Sequence, residues 1–129
     1  MLSALRTTIR TISILAQSKP FSTVAVHECE TIQDYKLLSQ KYKEAHITFF
    51  YSAYGKPSIQ LKKKVEFKAM EHKVPIITVD VELVPELCEE FHVESVPTMF
   101  TSQKSSIKET YVGVPNDEKI ELLVKSAGL

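Results

Sequence analysis

Two cysteines and four histidines are the residues of this 129-residue chain best suited to act as nucleophiles or metal ligands. The cysteines, Cys29 and Cys88, are too few for a disulfide framework. His27 and Cys29 alternate along a predicted strand, so one face of that strand could offer two ligands to a metal ion. A zinc site needs three or four protein ligands, and no matching spacing is found among the other histidines, His46, His72 and His92. We therefore predict no metal site and interpret both thiols as structural.

A group of lysines is the second feature that could carry a function. Lys62, Lys63 and Lys64 are consecutive on a predicted helix, and together with Lys68 and Lys56 they form the densest positive patch of the chain. Such a patch could contact an acidic lipid, an acidic protein or ribosomal RNA. No aromatic residues are interleaved with these lysines, as stacking on bases would require, so we interpret the patch as the exposed face of a helix.

The composition is that of a single globular domain. The chain is 43% hydrophobic and 25% charged, with 16 basic and 16 acidic residues, and its length leaves no room for a second domain of ordinary size. Beyond residue 21 it has 13 basic and 16 acidic residues, so a general role in nucleic-acid binding is not favoured. No segment approaches the roughly 18 consecutive apolar residues that a membrane-spanning helix needs.

Residues 1–21 have the composition of a mitochondrial transit peptide. Apolar residues recur at helical spacing, at Leu5, Ile9, Ile12 and Leu15, among two arginines, several hydroxyl residues and no acid. Residues 19–22 (KPFS) resemble the basic-x-aromatic-small pattern at which presequences are cut. We expect this segment to direct the protein to the mitochondrial matrix or the matrix side of the inner membrane, with residues 22–129 as the folded domain. The alternative is an amphipathic arm that stays on the mature protein.

Alternating strand and helix patterns predict an α/β domain. Apolar or β-branched runs predict strands at residues 24–26, 47–51, 76–81, 98–101 and 107–112. Capping residues and prolines begin four predicted helices, at Thr31, Pro57, Pro85 and Asn116. On the first helix, the positions at helical spacing are Tyr35, Leu38, Tyr42 and Ala45. The order β-α-β-α-β-α-β-β-α predicts a mixed, mostly parallel central sheet flanked by helices, with an antiparallel edge.

From residue 24 to residue 129 the chain resembles the thioredoxin family. Residues 79–82 (VDVE), 85–87 (PEL), Phe91 and 93–98 (VESVPT) are similar to the family's run from its third strand through its cis-proline loop. Residues 111–113 (YVG) are similar to the family's glycine at the end of a late strand. The resemblance implies the thioredoxin fold and a cis peptide bond before Pro97.

The family's active site is a W-C-G-P-C turn that begins a helix, and the matching residues here are 54–58 (YGKPS). Gly55 stands in place of the attacking cysteine and Ser58 in place of the resolving cysteine. Phe49 stands in place of a buried aspartate that helps to move protons. Disulfide exchange needs a thiolate at the helix N-terminus and a second thiol, and a serine without a nearby base is a poor substitute. We therefore expect no disulfide reductase activity.

These departures predict a redox-inactive thioredoxin-like protein that acts by binding other proteins. In the family, the cis-proline loop pairs with an extended peptide, a mode of recognition that needs backbone and shape rather than sulfur. The expected role is that of an accessory or structural subunit, or an assembly factor, of a respiratory complex, ATP synthase or the mitochondrial ribosome, without cofactor or metal. By resemblance, the binding residues are Tyr54, Gly55, Lys56, Pro57, Ser58, Val96, Pro97 and Gly113.

Two alternatives stay open at this point. A mitochondrial thiol–disulfide protein could use Cys29 or Cys88, although both lie outside the active-site turn and the family's layout gives no reason to expect a bond between them. A soluble matrix chaperone would instead hold peptides transiently.

Overall fold

Residues 26–128 are described by the structure, a computed structural model, and they form five strands and four helices. In chain order these are β1 (Val26–Cys29), α1 (Ile32–Lys41), β2 (Ala45–Tyr51), α2 (Lys56–Glu71), β3 (Ile76–Asp80), α3 (Pro85–Phe91), β4 (Thr98–Gln103), β5 (Ser106–Val112) and α4 (Asp117–Gly128). This is the predicted order. The expected transit peptide, residues 1–21, and residues 24 and 25 of the first predicted strand lie outside the described residues.

The five strands form one mixed sheet in the order β1-β3-β2-β4-β5. β1 and β2 both pair in parallel with β3, while β4 pairs antiparallel with β2 and β5 antiparallel with β4. Parallel strands require crossover helices, which α1 and α2 supply, whereas α3 leads to the antiparallel strand β4, and β4 and β5 follow one another through a tight turn. The predicted parallel block with an antiparallel edge is confirmed.

Helices cover both faces of this sheet. On one face, α2 and α4 pack on β2 through Leu61, Val65, Ala69, Ile120, Leu123, Val124 and Ala127. On the other face, α1 and α3 pack on the sheet through Tyr35, Leu38, Leu87 and Phe91. Successive side chains of a strand point to opposite faces, so Phe49 of β2 enters the first core and Phe50 the second.

Capping residues begin the helices as predicted. Thr31 Oγ1 accepts a hydrogen bond from the Asp34 N–H (3.0 Å), and Asn116 Oδ1 accepts one from the Lys119 N–H (2.8 Å). Pro57 and Pro85 lie in the first turns of α2 and α3, where a missing N–H costs nothing. Within residues 26–128, no helix is both long and apolar enough to span a membrane.

Several element boundaries differ from the prediction. β1 continues to Cys29 instead of ending at residue 26, and the end of β3 and the start of β5 shift by one residue, to Asp80 and Ser106. α1 ends at Lys41, and Ala45, which we expected on this helix, is the first residue of β2. Its spacing fits a helical period, but its backbone pairs with Gln103 of β4 instead. β4 continues to Gln103 because a register shift between Thr101 and Ser102 keeps it paired with β5.

Candidate functional site

Four connections meet at one end of the sheet. The register pairs Tyr51 at the end of β2 with Asp80 at the end of β3, and Phe50 with Thr98 at the start of β4. Thr98 pairs in turn with Val112 at the end of β5. The connections 52–55, 81–84, 96–97 and 113–116 therefore lie at this end, which we call the loop end. All eight residues expected to bind a partner belong to these connections or to the first turn of α2.

The turn that begins α2 presents backbone and an aromatic ring but no nucleophile. Gly55 is the N-cap, with extended backbone (φ −106°, ψ 113°) and no side-chain cap. Tyr54 is 85% exposed, whereas Ser58 is buried at 3% exposure. None of the histidines within residues 26–128 hydrogen-bonds to Ser58 and could serve as its base. The expected contact residue, Tyr54, is therefore accessible, and the hydroxyl of Ser58 is neither accessible nor activated.

A backbone hydrogen bond joins the cis-proline loop to the end of β5. The Val96–Pro97 peptide bond is cis, as the resemblance implied. The Gly113 N–H donates to the Pro97 carbonyl oxygen (2.9 Å). Gly113 has φ +104°, a conformation that residues with a side chain rarely adopt, so glycine is required at this position. Two of the expected binding residues, which are distant in sequence, are thus held in direct contact.

Val96 keeps its backbone polar groups unpaired. Within residues 26–128, neither its N–H nor its carbonyl oxygen has a hydrogen-bond partner, although the neighbouring Ser95 and Pro97 carbonyls both accept one. The Ser95 carbonyl is bound by Thr98 Oγ1 at 2.6 Å. The loop is therefore fixed on both sides of Val96, while Val96 itself offers one donor and one acceptor.

Phe49 fills the position of the family's buried aspartate with an apolar ring. Its side chain is fully buried and stacks on Tyr51, with ring centroids 6.3 Å apart. A carboxylate in this apolar core would have to be desolvated without a charged partner. No group at this position can exchange protons with the turn that begins α2.

A carboxyl group that the sequence analysis missed lies two strands away from Phe49. Phe49, Thr78 and Glu28 are register partners across β2, β3 and β1. Glu28 accepts hydrogen bonds from Tyr51 Oη (2.9 Å) and Thr78 Oγ1 (2.8 Å). Burial raises the pKa of Glu28, more than these hydrogen bonds lower it. A glutamate inside a strand of a buried sheet is the signal that could have drawn attention to it.

Both thiols are protected from ionisation. Cys29 is completely buried and donates to the Thr31 carbonyl oxygen (3.1 Å); burial, followed by the negative charge of Asp34, raises its pKa to about 12. Cys88 is half-buried, and its pKa is raised by burial and then by Glu82 and Glu89. Neither cysteine is in a disulfide. A thiol needs a lowered pKa to act as a nucleophile near neutral pH, so both environments oppose such a role.

The fold gives His27 and His72 hydrogen-bond partners that the spacing of the histidines in the sequence did not predict. His27 Nε2 hydrogen-bonds to Tyr42 Oη (2.9 Å), so one of its two possible metal-binding nitrogens already has a protein partner. Ligand atoms of His72, Glu71 and Glu121 lie within 4.8 Å of one another. The Lys68 ammonium group already bonds both carboxylates, at 2.9 Å to Glu121 and 3.2 Å to Glu71. This group is therefore an ion-pair network between α2 and α4.

Most of the lysine patch is neutralised by neighbouring acids. Lys62 pairs with Glu66 (2.8 Å), Lys64 with Asp117 (3.4 Å) and Lys68 with Glu121. Within residues 26–128, Lys56 and Lys63 are the members of the patch that pair with no carboxylate. The patch is a helix face with charges of both signs rather than a concentrated positive surface.

Comparisons with known proteins agree with this geometry. The family model described as Thioredoxin matches residues 26–126. The structure is similar to thioredoxin from Fasciola hepatica (20% identity, TM-score 0.71, covering 78% of this chain and 98% of that one). It is also similar to a mutant thioredoxin from Halobacterium salinarum (18% identity, TM-score 0.75, covering 88% of this chain and 97% of that one). A third similar structure is thioredoxin from Plasmodium falciparum (24% identity, TM-score 0.69, covering 78% of this chain and 97% of that one). No curated protein sequence matches the chain.

Proposed function

Because the chain belongs to the thioredoxin family, we propose that it binds an extended segment of a partner protein at the loop end without thiol chemistry. The partner belongs to a mitochondrial complex, in which this protein serves as an accessory or structural subunit or as an assembly factor. A respiratory complex, ATP synthase and the mitochondrial ribosome all fit this role.

The unpaired backbone of Val96 is the observation that carries the proposal. An extended segment lying beside the loop could accept from the Val96 N–H and donate to its carbonyl oxygen, as an added strand does at a sheet edge. Hydrogen bonds already hold the Ser95 and Pro97 carbonyls on either side of Val96, which fixes the loop before a partner binds. A preorganised site of this kind loses little conformational entropy on binding.

The absence of chemistry at the same place supports binding over exchange. Position 55 has no side chain, Ser58 is buried, and Phe49 offers no proton-carrying group. Cys29 and Cys88, the remaining thiols, both have raised pKa values and lie outside the turn that begins α2. Binding through backbone and shape requires none of these groups.

The mitochondrial part of the proposal rests on residues 1–21. Their arginines, hydroxyl residues and lack of acids are the composition of a matrix-targeting presequence. A partner inside the mitochondrion is the corresponding expectation.

Photo-crosslinking from Tyr54 in isolated mitochondria tests the proposal. The full chain is expressed with Tyr54 replaced by p-benzoylphenylalanine, the mitochondria are irradiated and solubilised in detergent, and assemblies are separated by native size. We expect mass spectrometry to find one crosslinked protein, in one large assembly of fixed stoichiometry. Phe67 is the matched control position, because it is also exposed (63%) but lies about three turns farther along α2.

Three results would overturn the proposal. Equal crosslinking from Phe67 and Tyr54 would mean that contact is not specific to the loop end. Crosslinks to many unrelated proteins would indicate a chaperone instead. Migration of the chain only near the size of the monomer would exclude a subunit.

A further inference from the structure

We propose that the partner segment is basic and that Glu82, Glu86 and Glu94 hold it on the α3 side of Val96. This inference rests on the proposed function, because it names the chemistry of the segment bound at the same site. We call these three residues the acidic rim.

The net negative charge of the domain comes from one stretch of the chain that has no basic side chain of lysine or arginine. Residues 74–103 contain six acidic residues and no lysine or arginine. Outside this stretch, the described residues carry 13 lysines against 10 acids. The negative excess of the domain therefore comes entirely from β3, α3 and the connections around them.

Within residues 26–128, the carboxylates of this stretch form no salt bridge, unlike most of the carboxylates on α2 and α4. Glu66, Glu71, Asp117 and Glu121 each pair with a lysine of α2, on the face of the sheet opposite to α3. The three residues of the acidic rim are all exposed, and within residues 26–128 none of them forms a salt bridge. Their charges are therefore available to a partner.

The acidic rim and the unpaired backbone of Val96 belong to the same end of the sheet. Glu82 follows β3 at the loop end, where its N–H donates to Asp80 Oδ1 (3.0 Å). Glu86 is in the first turn of α3, and Glu94 is in the loop that leads to the cis peptide bond. A segment that pairs with Val96 would place alternate side chains about 7 Å apart along its length. Lysine or arginine at such positions could extend toward these carboxylates.

Exposed apolar residues complete a mixed surface. Tyr54, Leu83, Val112 and Val114 are each between 57% and 85% exposed and lie at or next to the loop end. An extended segment with alternating apolar and basic residues fits a surface that has both kinds of contact. Lys56 lies at the start of α2 and Lys119 in the first turn of α4, and both would repel a basic residue placed on that side. The charge preference is therefore confined to the α3 side.

Rim charges act mainly on selectivity. Exposed ion pairs contribute little energy each, but they discourage partners of like charge and depend on salt. Glu82 and Glu89 also act on Cys88, whose pKa they raise in addition to burial. The negative charge of this region therefore also acts on Cys88, a half-buried group of the domain.

Binding of three synthetic peptides to the full chain tests the inference. The peptides are fluorescently labelled decapeptides of alternating valine and polar positions, identical except that three polar positions carry lysine, serine or glutamate. We expect fluorescence anisotropy at low salt to show the lysine peptide binding about tenfold more tightly than the glutamate peptide, with a smaller difference at high salt.

Variants assign this preference to the acidic rim. The double variant Glu82→Gln/Glu94→Gln should weaken binding of the lysine peptide about fivefold and leave the serine peptide unchanged. The matched control Glu44→Gln/Glu109→Gln removes the same charge at exposed positions away from the loop end and should change neither. Equal binding of all three peptides, or equal loss in the control, would overturn the inference.

The serine peptide separates this inference from the proposed function. If its binding is weakened by Tyr54→Ala but all peptides bind equally, the proposed function stands and the basic preference is wrong. If no peptide shows binding that depends on Tyr54, the proposed function fails, and the inference fails with it.

Discussion

A Cβ atom placed on Gly55 would lie 3.8 Å from the Cβ of Ser58. Disulfides span Cβ–Cβ distances of about 3.8 Å on average. Gly55 also has φ −106°, a backbone conformation that any residue can adopt, and its Cβ would meet no atom closer than 3.6 Å. The turn that begins α2 therefore keeps the backbone geometry of a cysteine pair although both sulfurs are missing.

The double variant Gly55→Cys/Ser58→Cys should form an intramolecular disulfide. The Cβ separation allows the bond without backbone movement, and the N-terminus of α2 favours the thiolate of a cysteine at position 55. Peptide mapping by mass spectrometry should find the 55–58 bond after mild oxidation, and insulin reduction should rise above that of the wild type. The single variant Gly55→Cys is the control, and failure of the double variant to form the bond would contradict the geometry.

Restoring an aspartate at position 49 should destabilise the domain through its charge. Phe49→Asp and Phe49→Asn lose the same packing, but only the aspartate must be desolvated in the apolar core. Burial raises the pKa of such a carboxyl group, so the folded protein holds the proton more tightly than the unfolded chain does. The free energy of unfolding of Phe49→Asp therefore falls as pH rises.

Urea denaturation of both Phe49 variants measures this effect. At pH 7 we expect Phe49→Asp to be less stable than Phe49→Asn by about 2 kcal/mol or more. The unfolding free energies of the two variants should converge as pH falls below about 4. A constant difference at all pH values would show that charge burial is not the cause.

The two cysteines should react slowly and in a fixed order. A pKa of about 12 leaves Cys29 with about one thiolate in ten thousand at pH 8, and its side chain is inaccessible. Cys88 also has a raised pKa but is only half-buried. Alkylation by iodoacetamide, followed by peptide mapping, should modify Cys88 first, and both at similar rates in urea. Equal rates in the folded protein would contradict the burial of Cys29.

His46 should make the domain less stable as pH falls below 6.5. It is 3% exposed; its Nδ1 hydrogen-bonds to the Tyr42 carbonyl oxygen (3.0 Å), and its Nε2 has no partner within residues 26–128. Burial lowers the pKa of His46 more than this hydrogen bond raises it. The unfolded chain therefore binds the proton more readily, and stability contributed by neutral His46 is present above pH 6.5 and lost as pH falls through the folded value.

The comparison of wild type with His46→Gln isolates this contribution. His27 also has a pKa lowered by burial, so the wild type alone would report both histidines. Below about pH 6.5, the unfolding free energy of the wild type should fall relative to that of His46→Gln. From about pH 7 to 9, the difference between the two proteins should stay constant. A difference that does not change with pH would exclude His46 as the titrating group.

Local patterns predicted the fold because each element carries its own signals. Thr31 and Asn116 cap helices through atoms three residues away, and the stripe Leu61, Val65 and Ala69 follows the helical period. Ala45 was placed on the wrong element because its pairing with Gln103 depends on a strand 58 residues farther along the chain. Such pairing carries no local signal.

Some features of the candidate site could be predicted from the sequence, and others depend on the tertiary structure. The missing cysteines and the cis-proline loop could be identified from residues 54–58 and 93–98. The unpaired backbone of Val96 could not, because it depends on which hydrogen bonds the surrounding loop forms. The bonds from Tyr51 and Thr78 to Glu28 also join residues on three different strands, as the register sets them.

The sequence by itself determined the order of elements, the family resemblance and the absence of an active-site cysteine pair, because these depend on residue identity and on spacing within one element. The tertiary structure decided which charges remain available. It paired Lys62, Lys64 and Lys68 with acids of α2 and α4. Among residues 26–128, it left Glu82, Glu86 and Glu94 exposed and without a salt bridge at the end of the sheet that carries Val96. Charge compensation depends on distances of a few ångströms between side chains far apart in sequence, and only the folded chain sets those distances.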